Sequence, residues 1–120
     1  MKKKMIKAYV RTFMVGDVIK ALKKAGAPRI SAIDVEEMED EVDYEKFKIS
    51  AELESIYTTM SKIELVCFGN DSIKKAVKII RDEAETGRKG DGIIIISPVE
   101  EAYSIRTGEP LKGNTLKYRE

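Results

Sequence analysis

The chain shows two kinds of hydrophobic pattern, one typical of strands and one typical of helices. Residues 5–10 place apolar side chains at every second position, which predicts a half-buried strand. Residues 15–25 repeat apolar side chains at helical spacing, and Gly26 ends this helix. Residues 30–35 return to a strand pattern. The first part of the chain is therefore predicted to fold as strand, helix, strand.

The same order recurs in the second half. Residues 62–68 alternate as a strand, and residues 73–84 carry the apolar stripe of a helix that a polar residue at 70–72 can cap. Gly87 stops this helix. The isoleucine run at residues 93–96 predicts a fourth strand, and a run that is apolar on both faces is expected for a central strand.

Two βαβ units of similar size predict an α+β fold, the ferredoxin-like βαββαβ sandwich. This fold has a four-stranded antiparallel sheet with both helices on one face. A length of 120 residues predicts a single domain over residues 1–120, with residues 110–120 as a polar C-terminal tail. Strands that are apolar on both faces in so small a chain indicate that a partner subunit covers the second face.

Residues 36–60 break the pattern and are predicted to form a long mobile loop. Like charges at this density repel each other and favour a solvated segment. The alternative interpretation is that the carboxylates bind a divalent cation, Mg²⁺ or Ca²⁺, through ligands that the sequence does not assign. The acidic residues are Glu36, Glu37, Glu39, Asp40, Glu41, Asp43 and Glu45.

Composition narrows the function classes. The net charge of +1 argues against binding nucleic acid, and no apolar run is long enough for membrane insertion. The single Cys67 predicts a buried thiol in a cytoplasmic protein. Histidine is absent and no catalytic motif of paired carboxylates is present, so an enzyme is not predicted. Lys and Glu enrichment with few amide side chains is a tendency of thermophilic proteins.

A glycine-rich turn at residues 87–92 precedes the fourth strand. Its glycines can adopt positive φ and let backbone N–H groups converge on an anion, next to the basic side chain of Lys89. A second turn carries Arg106, whose fork of donors suits phosphate or carboxylate. The alternative is purely structural, with the first glycine ending a helix and the turn leading into a buried strand.

These motifs resemble those of the PII nitrogen-regulatory signalling family. The element order matches over residues 4–109. The residues that carry the resemblance are Thr86-Gly87, Gly90-Asp91-Gly92, Ile93 to Ile96, Pro98-Val99 and Ile105-Arg106-Thr107-Gly108-Glu109, together with Arg11-Thr12-Phe13, Asp17-Val18 and Ala21-Leu22 near the start.

The resemblance implies a homotrimer that binds ATP or ADP in clefts between subunits. No cofactor is predicted to be required, and AMP or a similar small anion is a further candidate ligand. The glycine turn and the arginine turn hold the phosphates in this family, and Ser31 stands where the family has a threonine near the adenine. The nucleotide or anion site predicted in this way consists of Gly90, Asp91, Gly92, Arg106, Ser31 and Lys89.

The resemblance also implies that the loop at 36–60 docks on a regulated protein, such as a transporter or an enzyme. An alternative function with the same architecture is a trimeric protein of the metal-tolerance type, which would bind divalent metal without sensing nucleotide. The candidate partner-binding residues of the loop are Glu37, Tyr44, Phe47 and Tyr57.

Three departures from the family pattern bear on the ligand. Ile93 stands where the family has a lysine, Ser104 where it has an arginine, and the acidic residues 36–39 replace a glycine-rich segment. A charge-assisted contact contributes about 1.5–3 kcal/mol. The loss of two such contacts predicts ATP binding weaker by about two to four decades. ADP and AMP are therefore expected to compete well.

Overall fold

The computed structural model describes residues 2–38, 57–113 and 116. The four strands pair antiparallel throughout, in the order β2-β3-β1-β4, which confirms the predicted ferredoxin-like fold. The elements along the chain are β1 (Lys3–Arg11), a 3-10 turn (Thr12–Met14), α1 (Val15–Lys24), β2 (Ser31–Met38), β3 (Tyr57–Phe68), α2 (Asn70–Ala84) and β4 (Gly92–Pro98).

The core lies between the two helices and one face of the sheet. Ile6 and Ala8 of β1 are fully buried, and their partners across the ladder, Leu65 and Ile63, are buried on the same face. Because strand side chains alternate between faces, this pattern assigns both helices to one side, as predicted. The helices contribute Val18, Leu22, Ile73, Ala76, Ile79, Ile80 and Ala84 to the core cluster.

The position of β4 differs from the expectation of a central strand. β4 lies at the edge of the sheet beside β1. Ile93, Ile95 and Ile96 are 56%, 42% and 43% exposed, whereas Ile94 packs against the core. Burial within the sheet therefore does not explain why β4 is apolar. An exposed apolar edge strand offers a surface on which another strand or protein can pair or dock.

The predicted loop at 36–60 is too long at both ends. β2 continues to Met38 and β3 begins at Tyr57, with these two residues as register partners. A high density of charge was a poor guide to where the loop begins and ends. In an edge strand such as β2, the side chain of Glu36 is exposed to water while the backbone pairs with β3. Residues 39–56 lie outside the described residues, so the predicted mobility of the loop stays a prediction.

The predicted polar tail at 110–120 is wrong in one respect. Leu116 is only 2% exposed and belongs to the core cluster. Its N–H donates to the Ser72 hydroxyl at 3.1 Å, and the Lys75 ammonium donates to its carbonyl at 3.0 Å. Ser72 is therefore not the cap of α2, which has Gly69 at the N-cap position without a side-chain bond. One buried leucine in a polar stretch is invisible to periodicity.

Candidate functional site

The turn between α2 and β4 is built around the carboxylate of Asp91. One oxygen accepts hydrogen bonds from the N–H groups of Thr86, at 2.8 Å, and Gly87, at 3.1 Å. The other oxygen accepts the hydroxyl of Thr86. Asp91 was predicted to belong to the anion site, and the structure places its carboxylate at the centre of the turn, where it accepts hydrogen bonds from the turn's own backbone.

Arg11 holds the same turn from the sheet. Its Nε donates to Asp91 Oδ1 at 3.2 Å and its terminal nitrogen donates to the Lys89 carbonyl at 2.8 Å. Sequence reasoning missed this role. The observation that reveals this role is the register of the β1–β4 ladder. Val10 pairs with Gly92, so Arg11, the next residue of β1, lies beside the turn. The register is known only once the strand order is known.

The hydrogen bonds to Asp91 keep it ionised. The Thr86 hydroxyl and N–H are the main causes that lower the pKa of Asp91 to about 2, with Arg11 and the Gly87 N–H adding to the effect. The carboxylate is therefore negative at every physiological pH. Its charge is compensated by donors that already belong to the turn, so the turn is arranged before any ligand arrives.

Position 92 requires glycine because of its backbone conformation and its close contact with the neighbouring strand. Its φ is +117°, and a Cβ placed there would lie 1.7 Å from the carbonyl oxygen of Tyr9 on the neighbouring strand. No L side chain fits at this distance. In contrast, Gly90 is exposed, and its N–H finds no acceptor among the described residues. Of the predicted turn glycines, Gly92 thus serves the fold, and Gly90 has a backbone N–H without an acceptor among the described residues.

A cavity of about 360 Å³ lies next to this turn, between β4 and the end of α2. Asp91, Gly92 and Ile93 line it together with Arg81 and Glu85. The side chain at the position of the family's lysine is thus an isoleucine, 56% exposed, on the wall of the cavity. Among the described residues that line it, Arg81 is the only cation.

The second turn, which carries Arg106, is a small hairpin held by its backbone. The Ser104 N–H donates to the Glu109 carbonyl and the Gly108 N–H donates to the Ser104 carbonyl, both at 2.9 Å. Arg106 is exposed and forms no hydrogen bond or ion pair with the residues that the structure describes. Its guanidinium is therefore available to a ligand or to another chain.

Ser31 lies at the start of β2, opposite Glu64 of β3. It lines a pocket of about 160 Å³ together with Arg29, Phe68 and Lys112. The family resemblance predicted only the hydroxyl at this position. The pocket around it, and the part that the C-terminal residues play in its wall, were not predicted.

The glycine turn and Ser31 belong to opposite edges of one sheet. The turn leads into β4 and Ser31 begins β2, and two strands separate them. Three strand spacings amount to roughly 14 Å. The parts of the predicted site are therefore not gathered into one pocket of a single chain.

The predicted partner-binding residues are only partly within the described chain. Glu37 lies on β2 next to its last residue, and Tyr57 is the first residue of β3. Tyr44 and Phe47 lie outside the described residues. Across residues 2–38, 57–113 and 116, no group of three or more acidic or cysteine side chains is placed to hold a metal ion. Most of the acidic run lies beyond these ranges, so the metal interpretation stays untested.

Two further predictions concern the interior and the membrane. Cys67 is buried, as predicted, and burial raises the pKa of its thiol to about 11. The thiol is therefore protonated and weakly reactive at neutral pH. Within the part of the chain that the structure describes, no helix has the length and apolar character needed to cross a membrane.

The fold and its two turns define a class, the small ferredoxin-like proteins with a glycine turn before the last strand and an arginine turn after it. A family model described as nitrogen regulatory protein P-II matches residues 3–109. The chain belongs to this family, whose members are nitrogen regulatory signalling proteins.

Known relatives agree with this assignment. The nitrogen regulatory protein P-II of Mesorhizobium japonicum is 35% identical over 106 residues, which cover 88% of this chain and 94% of the relative. A nitrogen fixation nifHD region GlnB-like protein 1 of Methanothermococcus thermolithotrophicus is 38% identical, with 88% and 96% covered. The crystal structure of Arabidopsis thaliana PII bound to citrate superposes with a TM-score of 0.72 at 28% identity, covering 92% of this chain and 90% of the other.

Proposed function

We propose that this PII-family protein is a homotrimer that binds an adenine nucleotide or a similar small anion in clefts between subunits. The observation that carries the proposal is the glycine turn, which Asp91 and Arg11 hold in shape and in which the Gly90 N–H points to no acceptor of the described chain. A turn that is arranged in advance binds an anion without first losing conformational entropy.

The separation of the site residues supports a cleft between subunits. The glycine turn and Ser31 lie at opposite edges of the sheet, and the three strand spacings between these edges alone amount to roughly 14 Å. A cyclic arrangement of subunits brings the β4 edge of one chain close to the β2 edge of the next. The two parts then face one ligand, which neither edge surrounds alone.

Exposed apolar side chains support the trimer. Ile93 and Ile95 pair with Tyr9 and Lys7 of β1, on the face of the sheet that the helices leave open. Ile33 of β2 is 59% exposed at the other edge. Apolar side chains at both edges of the open face are explained when neighbouring subunits cover them.

The cations of the site favour ligands with few charges. Arg106 offers a bidentate contact, and Lys89 lies on the turn, but Ile93 and Ser104 take the places of two cations of the family. ATP therefore binds weakly, and ADP or AMP competes with it. The related Arabidopsis structure is bound to citrate, a small anion, which agrees with this ligand class.

The regulated partner is a transporter or an enzyme, and the segment between β2 and β3 binds it. β2 ends at Met38 and β3 begins at Tyr57, and these two residues are register partners, so both ends of this segment start from the same end of the sheet. The chain itself performs no chemistry in this proposal and acts in the cytoplasm.

Two measurements on the purified protein test the proposal. Sedimentation velocity at micromolar concentration is expected to show a trimer, and a stable monomer contradicts it. Calorimetry with ATP, ADP and AMP is expected to show saturable binding, with ATP at most as tight as ADP. If none of the three binds while Mg²⁺ or Ca²⁺ does, the metal-binding alternative replaces this one.

A further inference from the structure

The hairpin at residues 104–109 carries an apolar side chain that its own chain does not cover. Ile105 is fully exposed, more so than any other large hydrophobic side chain of the described residues. The hairpin that presents it is held in shape, because the Thr107 N–H donates to the Ser104 hydroxyl and the Glu109 N–H donates to the Thr107 hydroxyl, in addition to the backbone bonds. An apolar side chain on an ordered hairpin loses little conformational entropy when a partner buries it.

The hairpin and the glycine turn belong to opposite ends of the sheet in one chain. β4 separates them, and its 7 residues span roughly 20 Å. The Leu111 N–H donates to the Ala102 carbonyl at 2.8 Å, so the base of the hairpin lies beside Leu111, which lines the same pocket as Met5 and Ser31. The hairpin is therefore attached to the Ser31 part of the site, which the proposed function places opposite the glycine turn of a neighbouring subunit.

The cavity of about 360 Å³ beside the glycine turn suits an apolar side chain such as that of Ile105. It lies between β4 and the end of α2, and apolar side chains of both elements line it. Burial of an isoleucine in this cavity removes apolar surface of both partners from water, which favours association. The apolar side chains that matter most are those of Val77, Ile80, Ala84 and Ile94.

The charges of the two surfaces are complementary. The cavity is lined by Arg81 and Glu85, and neither forms an ion pair with the described residues. The hairpin carries Arg106 and Glu109, which form no ion pair within the described chain either. Each surface thus offers one cation and one carboxylate to the other. Arg106 has five N–H donors, which are enough to contact Glu85 and an anion at the turn together.

We infer that Ile105 of one subunit inserts into the cavity between β4 and α2 of the next subunit, and that this contact positions Arg106 at the glycine turn of that neighbour. Asp91 and Gly92 line the same cavity, so a guanidinium one residue away from the inserted side chain reaches the turn. The inference rests on the proposed function and adds to it the side chain that brings Arg106 to the ligand. Ile105 is a positioning residue, because it contacts the neighbouring subunit and not the ligand.

The first test is a disulfide between subunits. Ile105→Cys combined with Val77→Cys is expected to give covalent dimers and trimers on a non-reducing gel after mild oxidation, because a disulfide forms only where the two Cβ atoms lie within about 4.5 Å. Val77 lines the cavity and is only half-buried, so a thiol introduced there is accessible. The native Cys67 is buried, and the raised pKa of its thiol, about 11, keeps the background low. Ile105→Cys with Lys20→Cys is the matched control, because Lys20 is exposed on α1 and does not line the cavity.

The second test measures whether Ile105 acts through Arg106. Ile105→Ala is expected to weaken ADP binding about tenfold in calorimetry, and Ile105→Leu is expected to keep most of the affinity because it still fills the cavity. In the background of Arg106→Ala, the change Ile105→Ala should weaken binding by much less, since the group that it positions is absent. A role of Ile105 that does not involve Arg106 gives the same factor in both backgrounds, and that result overturns the inference.

The combined outcomes separate this inference from the proposed function. A disulfide between subunits in the Val77 pair but not in the Lys20 pair supports the insertion of Ile105. No disulfide, or one within a single chain, overturns it, and when Arg106→Ala still weakens ADP binding the proposed function stands. If the disulfide between subunits forms while the parent chain binds none of ATP, ADP and AMP, the insertion is supported and the proposed function fails. A parent chain that is a stable monomer overturns both.

Discussion

The two turns that the family resemblance places around the ligand are built in opposite ways. The turn at residues 86–92 is held by side chains, with Asp91 at its centre and Arg11 linking it to β1. The hairpin at residues 104–109 is held mainly by its own backbone and exposes Arg106 and the whole of Ile105. One turn is part of the fold and the other projects from it.

Because of this difference, substitutions in the first turn should affect the stability of the fold, and substitutions in the second should affect ligand binding. A substitution in the first turn disturbs the sheet, because the turn is connected to β1 by Arg11 and by the close approach of Gly92 to Tyr9. A substitution of Arg106 removes a donor and disturbs no contact within the described chain. The first turn should therefore tolerate little change, while the second can vary and alter affinity alone. Four predictions, in order of expected effect, test this contrast.

Matched glycine substitutions give the largest effect. Gly92→Ala is expected to lower the free energy of unfolding by about 3 kcal/mol or more, because positive φ and a clash with the Tyr9 carbonyl combine. Gly108→Ala has positive φ in open space, so its loss should be only about 1–2 kcal/mol. Urea unfolding of both variants measures the difference. Equal losses at the two positions contradict the proposed contrast between the turns.

The next prediction concerns Arg106. Arg106→Ala is expected to weaken ADP binding by about 10- to 100-fold through the loss of a charge-assisted contact. Its free energy of unfolding should stay within about 0.5 kcal/mol of the parent, since the side chain is exposed and unpaired in the described chain. Calorimetry and urea unfolding give the two numbers. Parent affinity for ADP in this variant removes Arg106 from the site.

The third prediction concerns nucleotide affinity when the family's lysine is restored at position 93. Ile93→Lys is expected to strengthen ATP binding about tenfold and AMP binding less, because the added cation acts on the phosphates. Ile95→Lys is the control, since it adds the same charge two residues further along the same strand and face. Sedimentation checks that both variants remain assembled. An equal gain in both variants indicates a general charge effect and not a site.

The smallest effect is the pH dependence of the first turn. The pKa of Asp91 is lowered to about 2 in the folded chain from 3.8, so its contribution to stability is complete above about pH 5 and is lost progressively as the pH falls through 3.8 and then through about 2. The side chain remains 23% exposed, which keeps the effect modest through solvent screening. Urea midpoints of the parent and of Asp91→Asn at pH 5, 3 and 2 measure it. The parent should lose more on acidification, and parallel curves count against the turn being held by this carboxylate.

The sequence predicted the elements better than their surroundings. Periodicity placed both helices and the central part of each strand, since alternation and helical spacing are local properties. It failed where a charged edge strand resembles a loop, at residues 36–38, and where an apolar edge strand resembles a central one, at residues 93–96. In both cases the local pattern reports burial or charge, while the position in the sheet depends on pairing with distant segments.

The candidate site divides in the same way. The residue types of the two turns and Ser31 were visible in the sequence through the family resemblance. The contacts of Arg11 and Lys112 were not predicted, because they depend on ladder register and on the return of the chain at Leu116. Each of these contacts joins residues far apart in the chain, and no spacing rule reaches across such distances.

The sequence by itself determined the class of this protein: the order of strands and helices, the absence of histidine chemistry, the family motifs and the loss of two cations at Ile93 and Ser104. Tertiary structure alone decided that Asp91 shapes a turn, that Gly92 passes against a neighbouring strand, and that Lys112 closes the pocket of Ser31. The physical reason is that composition and periodicity report what each residue can do. Close approach, hydrogen bonding and burial decide which of these capacities the folded chain uses.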